Sequence, residues 1–444
     1  MARLDVHPTV LALRGRATPS LPAEPLDAAW LRRLCLAAGA DDVGFVEIDR
    51  PALAEEREHV LACFPKTRTL LSLVCRMNRE PVRRVQRSVA NAEFHQVGHD
   101  VNEVARRIVA ELERRGLRAV NPPMAFPMET SRWPERMWVV SHKPVAVAAG
   151  LGMMGIHRNI IHPKFGNFIL LGTVLLEAEV SEYSEPTPYN PCLECKLCVA
   201  ACPVGAIKAD GQFDLASCYT HNYREFMGGF SDWVEHVADA KDGHDLRKRV
   251  ASTEQVSMWQ SLAFGPNYKS GNCIAVCPAG EDVIGPYLTD RGGFVSEVVK
   301  PLQQNTETVY VTPESDAEAH VRSRFPHKPI RHVRGSLLPS SIAGFLRGIR
   351  LTFQREQAAG LNAVYHFTFT GSETAQATVT IRDKKIEVRT GLLGAADCSV
   401  TADAATWLGF LRKERSIFWA ILRRKVRVRG KLSLLAAFGK CFPA

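Results

Sequence analysis

The sequence predicts an α+β protein with several domains. Its 444 residues are enough for two or three hydrophobic cores. Helical and strand-like patterns alternate up to about residue 185, a cysteine-rich block follows, and alternating strands return towards the end of the chain. We therefore expect an α/β domain at 1–185, a cysteine block at 186–295, a linker at 296–335 and an α+β domain at 336–444.

Four segments predict the first domain. DAAWLRRLCLAAGA (27–40) repeats apolar residues at helical spacing and reaches a helix stop at Gly39. VGFVEI (43–48) and TLLSLVC (69–75) are apolar runs of strand length. Residues 97–116 form an amphipathic helix. This mixture indicates a sheet covered by helices.

The cysteine block begins with a complete iron–sulfur motif. CLECKLCVAACPVGAI places Cys192, Cys195, Cys198 and Cys202 at C-x2-C-x2-C-x3-C-P spacing. In two-cluster ferredoxins the first three thiolates bind one cluster and the fourth binds the other. Zinc usually takes two separated C-x2-C pairs, and disulfide frameworks suit small secreted chains, so iron–sulfur clusters are the stronger prediction.

A shorter motif follows downstream. YKSGNCIAVCP has Cys273, Cys277 and Pro278 in place but Ser270 at the first cysteine position. Crossed ligation predicts one [4Fe–4S] cluster on Cys192, Cys195, Cys198 and Cys277, and a second cluster on Cys202, Cys218 and Cys273. The second cluster is either [4Fe–4S] with Ser270, water or a distant fourth ligand, or a [3Fe–4S] centre, since serine is a poor substitute for thiolate.

Composition and charge indicate the cellular compartment of the protein and its possible binding partners. Seven of the twelve cysteines lie in the block and the others show no pairing pattern, which indicates a reducing compartment. No apolar run reaches transmembrane length and no export signal is recognisable, so we expect a cytoplasmic protein. Residues 412–431 hold nine Lys or Arg, which could meet nucleic acid or an anionic membrane, or form a solvated face; nucleic acid is not the expected partner.

A glycine motif precedes the block. AAGLGMMGIHRN has Gly150, Gly152 and Gly155 at G-x-G-x-x-G spacing. A dinucleotide site needs a strand before the glycines, for which PVAVAA is the candidate, and a helix after them, which Pro163 and Gly166 interrupt. The glycines could instead let the backbone approach a large flat ligand.

The segment HKPVAVAAGLGMMGIHRNIIHPKFGNFILLGTVLLEAEV, followed by CLECKLCVAACPVGAI, resembles the epoxyqueuosine reductase and reductive dehalogenase superfamily over about residues 40–290. GNCIAVCP is most similar to the dehalogenase branch. The resemblance implies a nitroreductase-like domain that binds cobalamin, a bacterial ferredoxin-like domain that passes electrons to it, and an external donor of the ferredoxin or flavodoxin type. It also implies that the cofactor is bound near Gly150, Gly152, Gly155, His157, Arg158 and Asn159.

The catalytic residues of this superfamily are only partly matched. Epoxyqueuosine reductases carry an aspartate proton donor before the glycine loop, where this chain has RMWVVSHKPVAV with His142 and Lys143 but no aspartate. Dehalogenases use a tyrosine donor with a basic neighbour, which makes Tyr219 and Tyr223, beside Cys218, candidates. The candidate catalytic residues are therefore Tyr219, Tyr223, His142 and Lys143.

The C-terminal pattern YHFTFTG, ATVTIRDKKIEVRTG and KVRVRGKLSLLAAF resembles a sterol carrier protein type 2 domain over about residues 345–444. Such a domain implies a tunnel for a lipid or another hydrophobic small molecule; the alternative is a dimerisation or lid domain with an ordinary core.

Together the two resemblances lead to the hypothesis of an iron–sulfur, cobalamin-dependent oxidoreductase that reduces a hydrophobic small molecule. Reductive dehalogenation is the leading form of this hypothesis, and reduction of a modified nucleoside is the weaker one. The alternatives are a non-catalytic electron-transfer protein and a flavin-dependent reductase on the same scaffold.

Overall fold

A computed structural model of the chain describes residues 4–14, 24–132, 136–334, 338–412 and 414–443. The first part contains six helices and six strands within these residues. They are α1 (Pro8–Leu13), α2 (Ala28–Ala38), β1 (Asp42–Glu47), α3 (Ala54–Cys63), β2 (Thr69–Arg76), α4 (Arg79–Arg83), α5 (Arg87–Arg114), β3 (Ala119–Val120), α6 (His142–Ala148), β4 (Met153–Met154), β5 (Ile160–Ile161) and β6 (Ile169–Leu176).

A four-stranded antiparallel sheet in the order β1-β2-β6-β3 organises this part. Successive side chains of a strand point to opposite faces. Leu71 and Leu73 of β2 join the core under α2 and α5, while Leu70 joins the core under α3 and α6. Helices therefore cover both faces of the sheet, and this explains why β2 is apolar without alternation.

PVAVAA forms a helix instead of the strand that a dinucleotide fold would need. These residues lie in α6 and at its C-terminal end, and Val145, Ala146 and Ala148 are buried there. The glycine motif therefore follows a helix, and the interpretation as a dinucleotide-binding turn is wrong.

The middle of the chain is mostly helical. Its elements are α7 (Leu197–Ala201), α8 (Leu215–Asn222), α9 (Gly229–Asp239), α10 (Gly243–Arg249), α11 (Ser252–Phe264), α12 (Asn272–Ala275), α13 (Gly285–Thr289), α14 (Arg291–Phe294), a π-helical turn (Val295–Val299), α15 (Lys300–Gln304), β7 (Val309–Val311), α16 (Asp316–Arg324) and β8 (Ile330–His332).

The segment 296–335, which we expected to be a linker, is folded where it is described. β7 and β8 form a parallel pair, and Val309, Val311 and Val321 are buried in the core that also contains β2 and α5. Its elements are only three to nine residues long, which is too short for a recognisable period in the sequence.

The insertion between Cys218 and Cys273 is closed by one carboxylate. Glu225 accepts hydrogen bonds from the hydroxyl of Ser257 at 2.8 Å and from the backbone N–H of Asn267 at 3.1 Å, and it forms an ion pair with Lys269. The start of the insertion is thereby joined to its end, just before Ser270.

The C-terminal domain has its own sheet and core. Its elements are α17 (Ile342–Thr352), β9 (Ala363–Thr370), β10 (Ala375–Arg382), β11 (Lys385–Thr390), β12 (Cys398–Asp403), α18 (Ala404–Leu411), α19 (Ile417–Leu422), β13 (Val426–Gly430) and α20 (Leu432–Lys440). The sheet order is β11-β10-β9-β12-β13, with β9 and β12 parallel and the other pairs antiparallel. Tyr365, Phe367 and Phe369 of β9 point into the core, as the alternation in the sequence predicts.

Polar contacts join this domain to the rest of the chain. Arg355 pairs with Asp210 of the cysteine block at 2.9 Å. The backbone N–H of Asp316 donates to Gln354 at 2.8 Å, and the Asp316 carboxylate accepts from the backbone N–H of Glu356 at 2.8 Å. No helix in the described residues is both long and apolar enough to span a membrane.

Two glycines allow the loop after β5 to approach the chain that follows Cys277. Gly166 has a φ of +64°, and a Cβ atom there would lie 2.0 Å from the carbonyl oxygen of Ala279. Gly280 has a φ of +108°, and its Cβ would lie 2.4 Å from the nitrogen of Gly166. Hydrogen bonds from Glu281 and Asp282 to carbonyl oxygens of the same loop, at 2.9 and 3.0 Å, complete the contact.

Gly166→Ala is expected to destabilise the protein more than Gly211→Ala. Both glycines have positive φ, so either alanine suffers about 1–2 kcal/mol of backbone strain. At Gly166 the new methyl group also overlaps a carbonyl oxygen, which adds about 1–3 kcal/mol, whereas at Gly211 no described atom lies within 4 Å of it. Thermal unfolding of the two variants measures the difference, and equal midpoints would contradict the close packing.

Candidate iron–sulfur site

Four cysteines surround one small pocket. Its lining includes Cys192, Cys195, Cys198 and, from the downstream motif, Cys277. The loop CLECKLC wraps tightly because Glu194 and Lys196 adopt left-handed φ values of 49° and 62°. This is the set of four thiols that crossed ligation predicts for the first cluster.

Cys277 is brought to this pocket by contacts that the cysteine spacing does not reveal. The side chain of Asn272, in α12, donates to the carbonyl oxygen of Ala201 at 3.1 Å and so joins α12 to α7. The contact between Gly166 and Ala279 holds the chain on the other side of Cys277. Neither Asn272 nor Gly166 was a predicted site residue, although both lie within the motifs that carry the resemblance.

The other three block cysteines form a second group. Cys202 follows α7, Cys218 lies in α8 and Cys273 in α12. Burial raises the pKa of Cys273 to about 12, and the nearby Cys202 thiol adds to the shift. Burial likewise raises the pKa of Cys218 well above its usual value, and the thiols of Cys202 and Cys273 add to the shift. The hydrogen bond from Asn272 to Ala201 joins the segments that carry Cys273 and Cys202, and the one from Ser270 to Asn222 joins α8, which carries Cys218, to the start of the same motif.

Both groups suit clusters better than single ions. In the described part of the chain, no three Cys, His, Asp or Glu side chains converge closely enough to hold one metal ion. Thiols that bind a cluster each ligate a different iron atom, so they are spread more widely than the ligands of a zinc ion. The donor chemistry and the shared pocket of the first group fit a cluster.

Ser270 lies next to the second group in sequence and is buried. Its backbone N–H donates to Asn222 at 2.9 Å, and its hydroxyl oxygen is 3.5 Å from the nitrogen of Asn272. Cys63 is exposed and Cys75 is buried in β2, and neither lines the pocket of the first group. Ligation by Ser270 stays a prediction.

Lys143 lies beside the second group. Its Nζ donates to the carbonyl oxygen of Arg158 at 2.7 Å and to Oδ1 of Asn159 at 2.9 Å, and Nδ2 of Asn159 is 3.9 Å from the Cys273 sulfur. The surrounding protein lowers the pKa of Lys143, while the thiols of Cys273 and Cys218 raise it.

The other candidate catalytic residues have different surroundings. Both ring nitrogens of His142 have protein partners, Thr173 at 2.9 Å and the carbonyl oxygen of Pro123 at 3.1 Å. Burial raises the pKa of Tyr223 well above its usual value, and Cys218 and Cys273 are among its acidic neighbours. Tyr219 is buried in α8. The structure thus brings Lys143 and Tyr223 to the second group and gives His142 partners elsewhere.

The glycine loop is filled by the chain itself. Cβ atoms on Gly150 and Gly152 would each lie 2.3 Å from a carbonyl oxygen, that of Glu185 or Ile161, and one on Gly155 would lie 2.7 Å from the ring of His157.

The three residues after the loop also make contacts within the chain. The ring nitrogen Nε2 of His157 is 3.2 Å from the side chain of Asn167, and Arg158 donates to the carbonyl oxygen of Gly211 at 3.3 Å. Asn159 accepts a hydrogen bond from Nζ of Lys143 through its Oδ1 atom. The loop therefore does not fit a corrin against its glycine faces.

A larger cavity lies against the C-terminal domain. Its volume is about 330 Å³, within the range of small-molecule sites. Phe345, Trp407 and Phe438 contribute aromatic surface from α17, α18 and α20. The C-terminal domain thus borders a mainly apolar cavity, as the predicted tunnel requires.

Comparisons with known proteins agree with two separate similarities. Residues 350–443 match the SCP-2 sterol transfer family. The epoxyqueuosine reductase of Gloeobacter violaceus is 29% identical over 140 residues, 31% of this chain and 39% of that protein. The epoxyqueuosine reductase of Vibrio cholerae is 33% identical over 89 residues, 20% of this chain and 24% of that protein. The chain therefore matches less than half the length of these relatives.

A solved structure described as a reductive dehalogenase with a mechanism for B12-dependent dehalogenation is 15% identical. The match covers 59% of this chain and 38% of that one, with a TM-score of 0.37. The chain thus combines a segment similar to part of epoxyqueuosine reductases with a C-terminal SCP-2 segment.

Cys277→Ser and Cys218→Ser are each expected to lose one cluster and about half of the bound iron, because the two residues belong to different thiol groups. Cys63→Ser is the matched control, since Cys63 is an exposed cysteine outside both groups. Iron and sulfide analysis of the three anaerobically reconstituted variants checks this, and full iron in Cys277→Ser would contradict the first ligand set.

Ser270→Cys is expected to complete the second group with a fourth thiolate. If the native centre is [3Fe–4S], the iron content rises from about seven to about eight per chain. If it is already [4Fe–4S], the iron count stays constant and the EPR spectrum of the reduced cluster changes, because the ligand is softer. An unchanged iron count together with an unchanged spectrum would show that residue 270 is not beside the cluster.

Proposed function

We propose that this protein is an iron–sulfur reductase with two clusters. The observation that carries the proposal is the pocket shared by Cys192, Cys195, Cys198 and Cys277, because these thiols come from two distant segments. Four thiols around one pocket suit a cluster that accepts and passes single electrons. The similarity to epoxyqueuosine reductases supports a reductase over other iron–sulfur proteins.

The proposed substrate is a hydrophobic small molecule. The SCP-2 match and the cavity beside the C-terminal domain support this class. Reductive dehalogenation is the first reaction to test, and reduction of a modified nucleoside is the second. The electrons come from an external donor of the ferredoxin or flavodoxin type.

Residues near the second cluster have defined tasks in this proposal. Cys202, Cys218 and Cys273 hold the cluster, and the amino group of Lys143 supplies positive charge beside it, which favours the reduced form. The hydroxyl of Tyr223 is the proposed proton donor, since Tyr223 follows directly on α8, the helix that carries Cys218. Asn159 holds Lys143 in place through its Oδ1 atom.

A non-catalytic electron-transfer protein is the second candidate function. It is favoured by the glycine loop, whose faces are filled by the carbonyl oxygens of Glu185 and Ile161 instead of being open to a cofactor. A flavin-dependent reductase is the third candidate. Cofactor content separates the three.

The test is anaerobic purification and reconstitution, followed by measurement of iron, sulfide, cobalt and flavin with EPR spectra. The proposal expects about eight irons, or about seven with a [3Fe–4S] centre, and dithionite-reduced protein that is reoxidised by a hydrophobic halide. Tyr223→Phe should keep the iron but slow the reoxidation. Iron with no reoxidation by any halide or nucleoside tested would leave the electron-transfer function, and protein without iron would overturn both.

A further inference from the structure

The 330 Å³ cavity is shared between the C-terminal domain and the cysteine block. One wall consists of the aromatic side chains of α17, α18 and α20. The opposite wall includes Ala216, Ser217 and Thr220, all in α8. A ligand in this cavity would therefore touch both domains at once.

Helix α8 presents opposite faces to the cavity and to the second thiol group. Ala216 and Thr220 are four residues apart, so they lie on one face of the helix. Cys218 lies midway between them in sequence and, at 100° per residue, points away from that face. The hydrogen bond from the backbone N–H of Ser270 to Asn222 joins α8 to the segment that carries Cys273. The cavity and the cluster are thus separated by the thickness of one helix.

A hydrogen bond also joins α8 to β7 beside the cavity. The backbone N–H of Tyr310, in β7, donates to Nδ1 of the buried His221, in α8, at 3.3 Å. Tyr310 itself lines the cavity. A ligand that displaces β7 therefore disturbs a contact of the helix that carries Cys218.

The lining selects an amphiphile. Most of it is aromatic or aliphatic, and the polar groups are few, among them Thr220, Thr312 and Gln354. Arg334 provides a cation and pairs with Glu235 at 2.5 Å. An acyl chain suits the apolar part and a small polar or carboxylate head suits the rest, so a long-chain fatty acid is the appropriate probe.

We propose that lipid binding in this cavity is coupled to the redox state of the second cluster through α8. This inference rests on the proposed function, because it requires the cluster to be present. Coupling is reciprocal. If the lipid binds one redox state of the protein more tightly, lipid binding shifts the reduction potential of the second cluster by the same free energy. The electron comes from the external donor, and the lipid is chemically unchanged.

The first experiment measures oleate binding by calorimetry to the anaerobic, iron-loaded protein, once oxidised and once reduced by dithionite. We expect the two dissociation constants to differ by at least about fivefold. An EPR-monitored titration with and without oleate should then show a shift of about 40 mV in the second cluster, since tenfold corresponds to about 59 mV for one electron. The first cluster should not shift, because none of its four ligands lies in α8.

Ala216→Phe and Leu215→Phe provide the matched pair of variants. Ala216 lines the cavity, whereas its neighbour Leu215 is exposed and does not. Ala216→Phe should weaken oleate binding and abolish the shift, and Leu215→Phe should preserve both. Iron content and circular dichroism confirm that each variant is folded.

The outcomes distinguish this inference from the proposed function. Equal dissociation constants with no shift, or absence of oleate binding to iron-loaded protein, overturn the coupling and leave the reductase proposal intact. Absence of iron overturns both. The wild-type measurements test the coupling by themselves. The test therefore stays decisive even if Ala216→Phe does not fold.

An independent surface of the C-terminal domain carries a second inference. Phe418, Trp419 and Leu422, in α19, are 67%, 54% and 62% exposed. Arg423, Arg424, Lys425, Arg427 and Arg429 follow directly and are all exposed. Aromatic side chains beside a cluster of cations are suited to the interface of an anionic bilayer. Nucleic acid would match the charge but not the exposed apolar side chains.

We infer that this α19 surface binds anionic phospholipid membranes. The test is sedimentation of the full chain with vesicles of phosphatidylcholine containing phosphatidylglycerol, compared with pure phosphatidylcholine. We expect binding to the anionic vesicles that weakens with salt and is lost in Phe418→Ser/Trp419→Ser.

Trp259→Ser is the control for this experiment, because Trp259 is 61% exposed on a different helix, α11. It should retain binding. No binding to anionic vesicles, or equal binding by Phe418→Ser/Trp419→Ser, would overturn the inference. Binding of a nucleic-acid duplex in preference to vesicles would do the same.

Discussion

The return of the chain at Cys277 to the loop of Cys192–Cys198 is the constraint on which the rest of the structure depends. Seven cysteines in two segments can form two groups only if the intervening chain begins and ends at the same place. Glu225 achieves this by joining the start of the insertion to Asn267 and Lys269. The contact between Gly166 and Ala279 then fixes the far side of Cys277 against the first domain. The first domain and the cysteine block consequently share one core.

Much of the fold could be predicted from periodicity. The strands around Phe45 and Leu71 and the helix α2 have apolar patterns that depend only on local sequence, and the structure contains all of them. Helix α5 begins ten residues earlier than expected, at Arg87 rather than 97. Its first turns are polar, and Asn91 is buried there because it accepts a hydrogen bond from the backbone of Tyr268 at 2.8 Å. The local sequence pattern around Asn91 cannot reveal a hydrogen-bond partner that is so distant in the chain.

The site was predictable to a similar degree. Spacing alone separated the cysteines into two groups, because ligand geometry imposes fixed intervals. The surroundings of the candidate catalytic residues were not predictable. Whether a histidine such as His142 is free depends on Thr173 and Pro123, which are far away in sequence. The glycine loop likewise has a motif typical of ligand binding, and only the position of Glu185 and Ile161 reveals that its faces are filled.

The folded segment around β7 and β8 has a consequence for biosynthesis. Val309, Val321 and Phe325 complete the core that β2 and α5 begin more than two hundred residues earlier. During translation this core stays open until Phe325 has left the ribosome, since chains emerge from their N-terminus. Cys198 and Cys202 belong to the same core, so they are synthesised before the core that encloses them is complete.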